Sequence, residues 1–350
     1  MAIDVIDAPR IGVLPAGERD SIADVPGVTV GHATLADGPV QTGVTVVRPH
    51  PGDLYQHPIP AAAVVINGFG KTAGLVQLNE LGTLESPIAL TNTFSVGVIY
   101  TAMVRHAVLG NPAIGRSAPT VNPVVAECND GWLNDLQAFA VGERHFEIAF
   151  DEASAAFAQG AIGAGRGMSC FGMKGGIGSS SRIVPSGGSR ATIGALVLAN
   201  FGRLPQLMLR GMPVGRALAR ESEPITPAER GSIIVVLATD APLDHRQLRR
   251  LAMRAAAGIA RTGSNFGHGS GDIAIAFAPA SVLARDRRQP APSQNRLPDD
   301  ALDPLFDAAA EATEQSIVKA LFAAETVTGY AGHVRRAITD RMPDWSTRFA

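Results

Sequence analysis

The residues Gly269-Ser270-Gly271-Asp272 close a flexible run, Thr262 to His268, and stand directly ahead of the apolar run Ile273-Ala274-Ile275-Ala276-Phe277-Ala278. A cut just before Ser270 would make that serine the first residue of a core strand. Its freed α-amine would then lie beside its own hydroxyl and could act as the base that activates it, the arrangement of an N-terminal-nucleophile hydrolase. Taken alone, such a tetrad is more often a tight turn in which an aspartate caps backbone amides, so the residues by themselves leave the reading ambiguous.

Other chemical signatures fail on spacing. Asn67-Gly68-Phe69-Gly70-Lys71-Thr72 ends like a phosphate-binding loop, but the glycine needed five positions before Gly70 is Val65. Gly163, Gly165 and Gly167 follow an expected helix, whereas a dinucleotide fingerprint follows a strand. The histidines include no pair at His-x-x-x-His or His-x-His spacing, so no metal is expected. Positions 268 and 272, His and Asp, rule out the Gly-x-Ser-x-Gly elbow around Ser270.

The elements that would position Ser270 follow from hydrophobic patterning. Ser21 to Thr29, Thr42 to Val47, Ala61 to Ile66, Ala191 to Ala199, Ser232 to Thr239 and Ile273 to Ala278 carry the short apolar runs of strands. Helical spacing marks Gly74 to Leu81, Val98 to Leu109, Phe146 to Gly160, Leu243 to Arg261 and Asp303 to Ala324. Gly160 to Gly188 is dense in Gly and Ser, while Arg203 to Arg230 and Arg285 to Pro298 have the character of inserted loops. Strand blocks alternating with helix blocks predict stacked sheets with helices outside them, a four-layer α/β/β/α sandwich.

Composition narrows the function classes. The chain has 46% hydrophobic and 18% charged residues, enough for a large core, with a formal net charge of −2. That balance lacks the basic footprint of a nucleic-acid or membrane-surface binder. Met1 to Arg10 show no secretory signal and no transmembrane span is evident, so a cytoplasmic protein is expected. Cys128 and Cys170 have no further ligands at metal spacing and are expected to be buried thiols.

Ordered blocks along nearly the whole chain add a resemblance. Ile22-Ala23-Asp24-Val25-Pro26-Gly27-Val28-Thr29-Val30-Gly31-His32, Thr42-Gly43-Val44-Thr45, Asn67-Gly68-Phe69-Gly70-Lys71, Thr91-Asn92-Thr93, Pro123-Val124-Val125-Ala126-Glu127, Lys174-Gly175-Gly176-Ile177-Gly178, Asn200-Phe201-Gly202 and Gly269-Ser270-Gly271-Asp272 resemble the L-aminopeptidase/D-esterase and β-aminopeptidase family. The resemblance implies the sandwich of the DmpA/ornithine acetyltransferase-like type as a single domain. It further implies a precursor that cuts itself into an α fragment, 1–269, and a β fragment, 270–350, and then removes N-terminal α-, β- or D-amino acids from short peptides, amides or esters. Ser270 would be nucleophile and base, Asn200 an oxyanion donor, and Glu127 with Asn129 a site for the substrate's free amine. A Ser-x-Glu pair supports the nucleophile in the family; the best match here, Ser293-Gln294-Asn295, has Asn in place of Glu. No cofactor is implied, and a homo-oligomer, a tetramer of αβ units, is expected. Hydrolysis of amide oligomers, acyl transfer on the same fold, or an uncut binding protein are the alternatives.

Overall fold

Alternate residues of a strand face opposite sides of its sheet, so a strand that is apolar on both sides must be covered on both. Strands of this kind run through the chain, and the computed structural model, which describes residues 6–220, 231–283 and 296–349, shows what covers them. The hairpin β1 (Thr29–Asp37) and β2 (Val40–Arg48) is followed by β3 (Ile59–Gly68), α1 (Leu75–Leu81), β4 (Thr83–Leu84) and β5 (Ile88–Asn92). Helix α2 (Val96–Gly110), β6 (Val124–Cys128), α3 (Glu143–Asp151) and a small ribbon of β7 (Ser169–Cys170) and β8 (Met173–Lys174) come next. A long hairpin, β9 (Gly176–Ser186) and β10 (Ser189–Asn200), leads through α4 (Val214–Arg220) to β11 (Ser232–Thr239). Helices α5 (His245–Met253) and α6 (Ala255–Arg261) precede β12 (Gly271–Phe277) and the long α7 (Asp303–Phe322). The ribbon β13 (Val327–Thr328) and β14 (Val334–Arg335) and the short helices α8 (Ile338–Arg341) and α9 (Trp345–Arg348) complete the described chain.

The strands form two main sheets, one of four strands in the order β1-β2-β5-β6 and one of six in the order β4-β3-β12-β11-β10-β9. Between them lies a shared core in which Val30, Val47, Leu90 and Val124 of the first sheet meet Leu196, Ile234, Ile273, Ile275 and Phe277 of the second. On the outer face of the four-stranded sheet, Val44, Val46, Ala89 and Val125 pack on Ile99 and Met103 of α2 and Phe146 of α3. On the outer face of the six-stranded sheet, Ala195, Val197, Val235, Ala274 and Ala276 pack on Leu248, Ile259, Ala309 and Ile317 of α5, α6 and α7. The layers are therefore α/β/β/α, as expected from the sequence. Each fully buried Leu, Ile, Val or Phe contributes about 1.5–3 kcal/mol, so the double-sided burial of β10, β11 and β12 is a large share of what holds the six-stranded sheet together.

Several element boundaries differ from the sequence reading. Ser21 to Thr29 is not a strand: Ile22–Asp24 is a 3-10 turn whose Ser21 and Asp24 side chains cap it reciprocally, and the strand starts at Thr29. The helix expected over 146–160 runs only from Glu143 to Asp151, because Ser154 leaves it to pair its backbone with Val30 at the edge of β1. The helix expected over 243–261 is two, meeting at Arg254. Within the Gly/Ser-dense 160–188 stretch lies a full core strand, β9, whose Arg182 is wholly buried and donates from Nε to Glu311 of α7 at 2.9 Å.

Candidate active site

Ser270 stands at the mouth of β12, with β3 on one side and β11 on the other. Its N–H donates to the Gly267 carbonyl at 2.9 Å, so 267–270 is a tight turn delivering the chain into the strand. The Ser270 carbonyl accepts from the Phe69 N–H at 3.3 Å and from Asn67 Nδ2. Asn67 Nδ2 also faces the carbonyls of Gly267 at 3.2 Å and His268 at 3.5 Å, so one side chain at the end of β3 gathers the whole turn. Gly271 donates its N–H to Ser232 Oγ at 3.2 Å, fixing the other flank to β11. Glycine is required at 271 because a Cβ there would lie 2.6 Å from the Phe69 carbonyl oxygen.

The Ser270 hydroxyl is not free. It donates to Asp272 Oδ1 at 2.6 Å, a contact the strand's two-residue repeat makes possible by placing both side chains on one face. Asp272 is wholly buried, and its Oδ2 has no hydrogen-bond partner among the described residues. Burial raises its pKa to about 6, against the opposing hydrogen bond from Ser270. Ser270 itself retains 8% exposure, and it opens into a cleft of about 460 Å³ walled by Gly202, Arg203 and Gln206 and by the loop from Ser264 to His268. A larger groove, about 650 Å³, lies between β1 and α3 and touches none of these groups. Its His32 has both ring nitrogens within hydrogen-bond distance of protein partners, Thr45 Oγ1 and the Ala158 carbonyl, and burial lowers its pKa to about 4. We therefore place the chemistry at the smaller cleft.

Asn200 ends β10 in the same row of strand ends, paired with Ser232, which is in turn paired with Gly271. Its Oδ1 accepts the Ser169 N–H at 2.8 Å and its Nδ2 donates to the Asn129 carbonyl at 2.8 Å, which fixes the amide plane. Nδ2 carries a second hydrogen that these contacts do not use. Asn129 is exposed and its own Oδ1 accepts the Gly131 N–H at 2.9 Å, so it meets Asn200 through backbone, not side chain. Glu127, nearly fully buried at the end of β6, accepts from the Lys71 N–H at 2.8 Å and from Thr93 Oγ1. Gly70 lies between Glu127 and the start of β12: a Cβ on it would stand 3.5 Å from Glu127 Oε1 and 3.9 Å from Gly271 Cα. Glu127 does not line the cleft beside Ser270; it approaches from the four-stranded sheet. Ser293 and the 293–295 segment fall outside the described residues. Among the described residues no group of three or more His, Cys, Asp or Glu side chains is placed to hold a metal ion, and no helix is long and apolar enough to cross a membrane.

The sequence reading passed over Asn67, Ser232 and Asp272 as site groups. Asp272 could have been found, since residues two apart on a strand share a face. Asn67 and Ser232 reach Ser270 from strands far away in sequence, and only the sheet order brings them there.

A cleft at the strand ends of a two-sheet sandwich, with a serine entering a central strand, defines an N-terminal-nucleophile hydrolase fold. The profile of peptidase family S58 matches residues 20–335, and the chain belongs to that family and is an aminopeptidase-type hydrolase. It is similar to the β-peptidyl aminopeptidase BapA of Sphingosinicella microcystinivorans, with 41% identity over 341 residues covering 91% of this chain and 85% of that protein. Among solved structures it is similar to the PH0078 protein from Pyrococcus horikoshii OT3, with 45% identity, TM-score 0.92 and 98% of each chain covered. It also matches the L-aminopeptidase D-Ala-esterase/amidase from Ochrobactrum anthropi, described as a prototype serine aminopeptidase and a variant of the Ntn hydrolase fold, with 35% identity, TM-score 0.88 and 98% of each chain covered.

Proposed function

We propose that Ser270 is the nucleophile of this family S58 aminopeptidase, exposed as a new N-terminus when the chain cuts itself between Gly269 and Ser270. Fragments 1–269 and 270–350 then form one enzyme that removes N-terminal residues from short peptides, amides or esters. After the cut, the α-amine of Ser270 takes the hydroxyl proton as Oγ attacks the substrate carbonyl and passes it to the leaving amine. α-Amino groups titrate near 7.7–8.0, so about 10–17% are free base at pH 7 and about half at pH 7.7–8.0. Asn200 supplies its unused Nδ2 hydrogen to the developing oxyanion. Glu127 is the carboxylate we assign to the substrate's protonated amine, which would meet it across Gly70 and not within the cleft itself, and Asn129 holds Asn200 in place through its carbonyl. The similarity to a β-peptidyl aminopeptidase favours β-amino acids as one accepted class of N-terminal residue. Assembly into a homo-oligomer, a tetramer of αβ units in the cytoplasm, belongs to the same reading.

The observation that carries it is the position of Ser270, at the entry of a central, doubly buried strand and open only to the cleft. Intact mass and N-terminal sequencing of the purified protein and of Ser270→Ala test it. The expected result is two fragments, the smaller starting at Ser270, from the wild type, and one chain from the variant. A wild type that stays uncut and yet releases N-terminal amino acids would refute it.

A further inference from the structure

While the chain is still whole, the Ser270 nitrogen belongs to an amide and cannot accept a proton, so the α-amine that serves the mature enzyme does not yet exist. The first cut therefore needs a different base at the same hydroxyl. Among the described groups, one carboxylate touches it: Asp272, whose Oδ1 accepts the Ser270 Oγ–H at 2.6 Å. We propose that Asp272 is the general base of self-cleavage, a catalytic residue of maturation distinct from the α-amine of the mature enzyme. This rests on the reading of Ser270 as the self-cleaving nucleophile.

The geometry suits the task. Asp272 is fixed in β12 and wholly buried, with Oδ1 on the serine hydroxyl and no hydrogen-bond partner on Oδ2 among the described residues, so an acceptor position is open to hold the proton between the two halves of the step. Proton transfer is favoured when the base has a pKa near the working pH, and burial moves Asp272 up to about 6 while leaving it mostly ionised at neutrality. The turn ahead of the proposed scissile bond is anchored by Asn67 and by the Gly267 carbonyl, which holds the backbone on both sides of the Gly269–Ser270 peptide.

The step balances as follows. Asp272 takes the Oγ proton as Oγ bonds to the Gly269 carbonyl carbon and the carbonyl π pair moves to oxygen. The tetrahedral species collapses with rupture of the carbon–nitrogen bond, and the proton held by Asp272 passes to the departing Ser270 nitrogen. The products are a Gly269 ester on Ser270 Oγ and a free α-amine. Water then adds to the ester, the carbon–Oγ bond breaks, the hydroxyl is restored and Gly269 leaves as a carboxylate, its proton taken up by the new amine or by solvent.

Rate against pH reads the base directly. Of the titratable groups nearby, Cys128 at the end of β6 interacts with Asp272 directly, while Glu127 acts on the same Cys128 and His268 and Arg203 line the cleft onto which Ser270 opens. Full-length chain made by cell-free synthesis is held at pH 5 to 8 and the appearance of the fragment beginning at Ser270 is timed. The wild type should cut more slowly as pH falls, with a midpoint near 6, because protonated Asp272 cannot accept the hydroxyl proton. Since His268 lines the same cleft, the profile is repeated with His268→Ala, which should keep the midpoint. Asp272→Asn preserves the hydrogen bond but not the base, and should slow cutting about 100-fold or more while unfolding at a temperature close to the wild type. Cutting by Asp272→Asn at the wild-type rate, or a wild-type profile flat from pH 5 to 8, overturns the proposal and leaves Ser270 as nucleophile intact. Should Asp272→Asn fail to fold, the wild-type profile alone decides. A wild type that never cuts overturns the Ser270 reading instead, and this proposal with it.

Discussion

Replacing Asn67 probes how the scissile turn is held. Its Nδ2 faces three carbonyls, those of Gly267, His268 and Ser270, while its two hydrogens can make at most two good bonds at once. A neutral hydrogen bond contributes about 0.5–1.5 kcal/mol net, so Asn67→Ala should release about 1–3 kcal/mol of restraint on the turn. If that restraint is expressed in the transition state of cutting, the rate should fall by about 5- to 150-fold, at about 1.4 kcal/mol per factor of ten. Asn67→Asp should be worse than Asn67→Ala despite its closer shape, because it sets a carboxylate against carbonyl oxygens where a donor stood. The assay is a time course of the full-length band and its fragments at fixed pH, with thermal unfolding run in parallel to separate a loosened turn from a loosened sheet. Cutting by both variants at the wild-type rate would refute the idea that Asn67 presents the bond. So would an Asp variant that cuts faster than the Ala variant.

Asn200→Asp should keep the bond from the Ser169 N–H but lose both Nδ2 hydrogens, lowering kcat by about 10²–10³-fold with little change in KM, as measured by steady-state hydrolysis of an amino-acid amide. Asp130 is wholly buried, and burial raises its pKa to about 7, against hydrogen bonds from Thr42 and Asn134. The unfolded chain loses this proton near pH 4 and the folded chain near 7, so folding holds the proton in between and Asp130 weakens stability as pH rises through that window. Asp130→Asn should therefore gain stability relative to the wild type on going from pH 4.5 to 7.5, read as the difference in melting temperature; a difference that stays constant would show that Asp130 does not titrate there.

The layered architecture was legible because burial on two sides leaves a trace in sequence. Ile273, Ile275 and Phe277 face the other sheet while Ala274 and Ala276 face the helices, and the small outer residues let the helix layer approach closely. Misreadings came where distant backbone overrode local preference. The Ala-rich 153–158 stretch would suit a helix, but Ser154 satisfies its backbone on Val30, and a Cβ on Gly31 would stand 2.0 Å from the Ala149 carbonyl, so β1 and the end of α3 are pressed together. In β9 a buried arginine concealed a core strand, since its partners Glu311 and Asp20 lie far off in sequence. Ser270, the proposed nucleophile, was legible as a candidate residue; its surroundings were not, because Asn67 and Ser232 belong to the sheet and not to the motif.

The pairing of β12 bears on the fate of a cut chain. β12 is hydrogen-bonded antiparallel to β3 and parallel to β11, and both neighbours lie upstream of Gly269. Helix α7, also downstream of the cut, packs along β9 and β10. A break at Gly269–Ser270 would thus remove a covalent tether from a strand already sewn in on both edges, and the two pieces would stay together without it. The shorter piece, made alone, would hold one inner strand without its neighbours, the helix α7 without the sheet it covers, the small β13–β14 ribbon and the short α8 and α9, whereas the longer would have an empty slot between β3 and β11. If the chain cuts itself as proposed, the intact precursor would act as the assembly template for the two pieces, and separately made fragments should not find each other as readily as one chain folds and then divides.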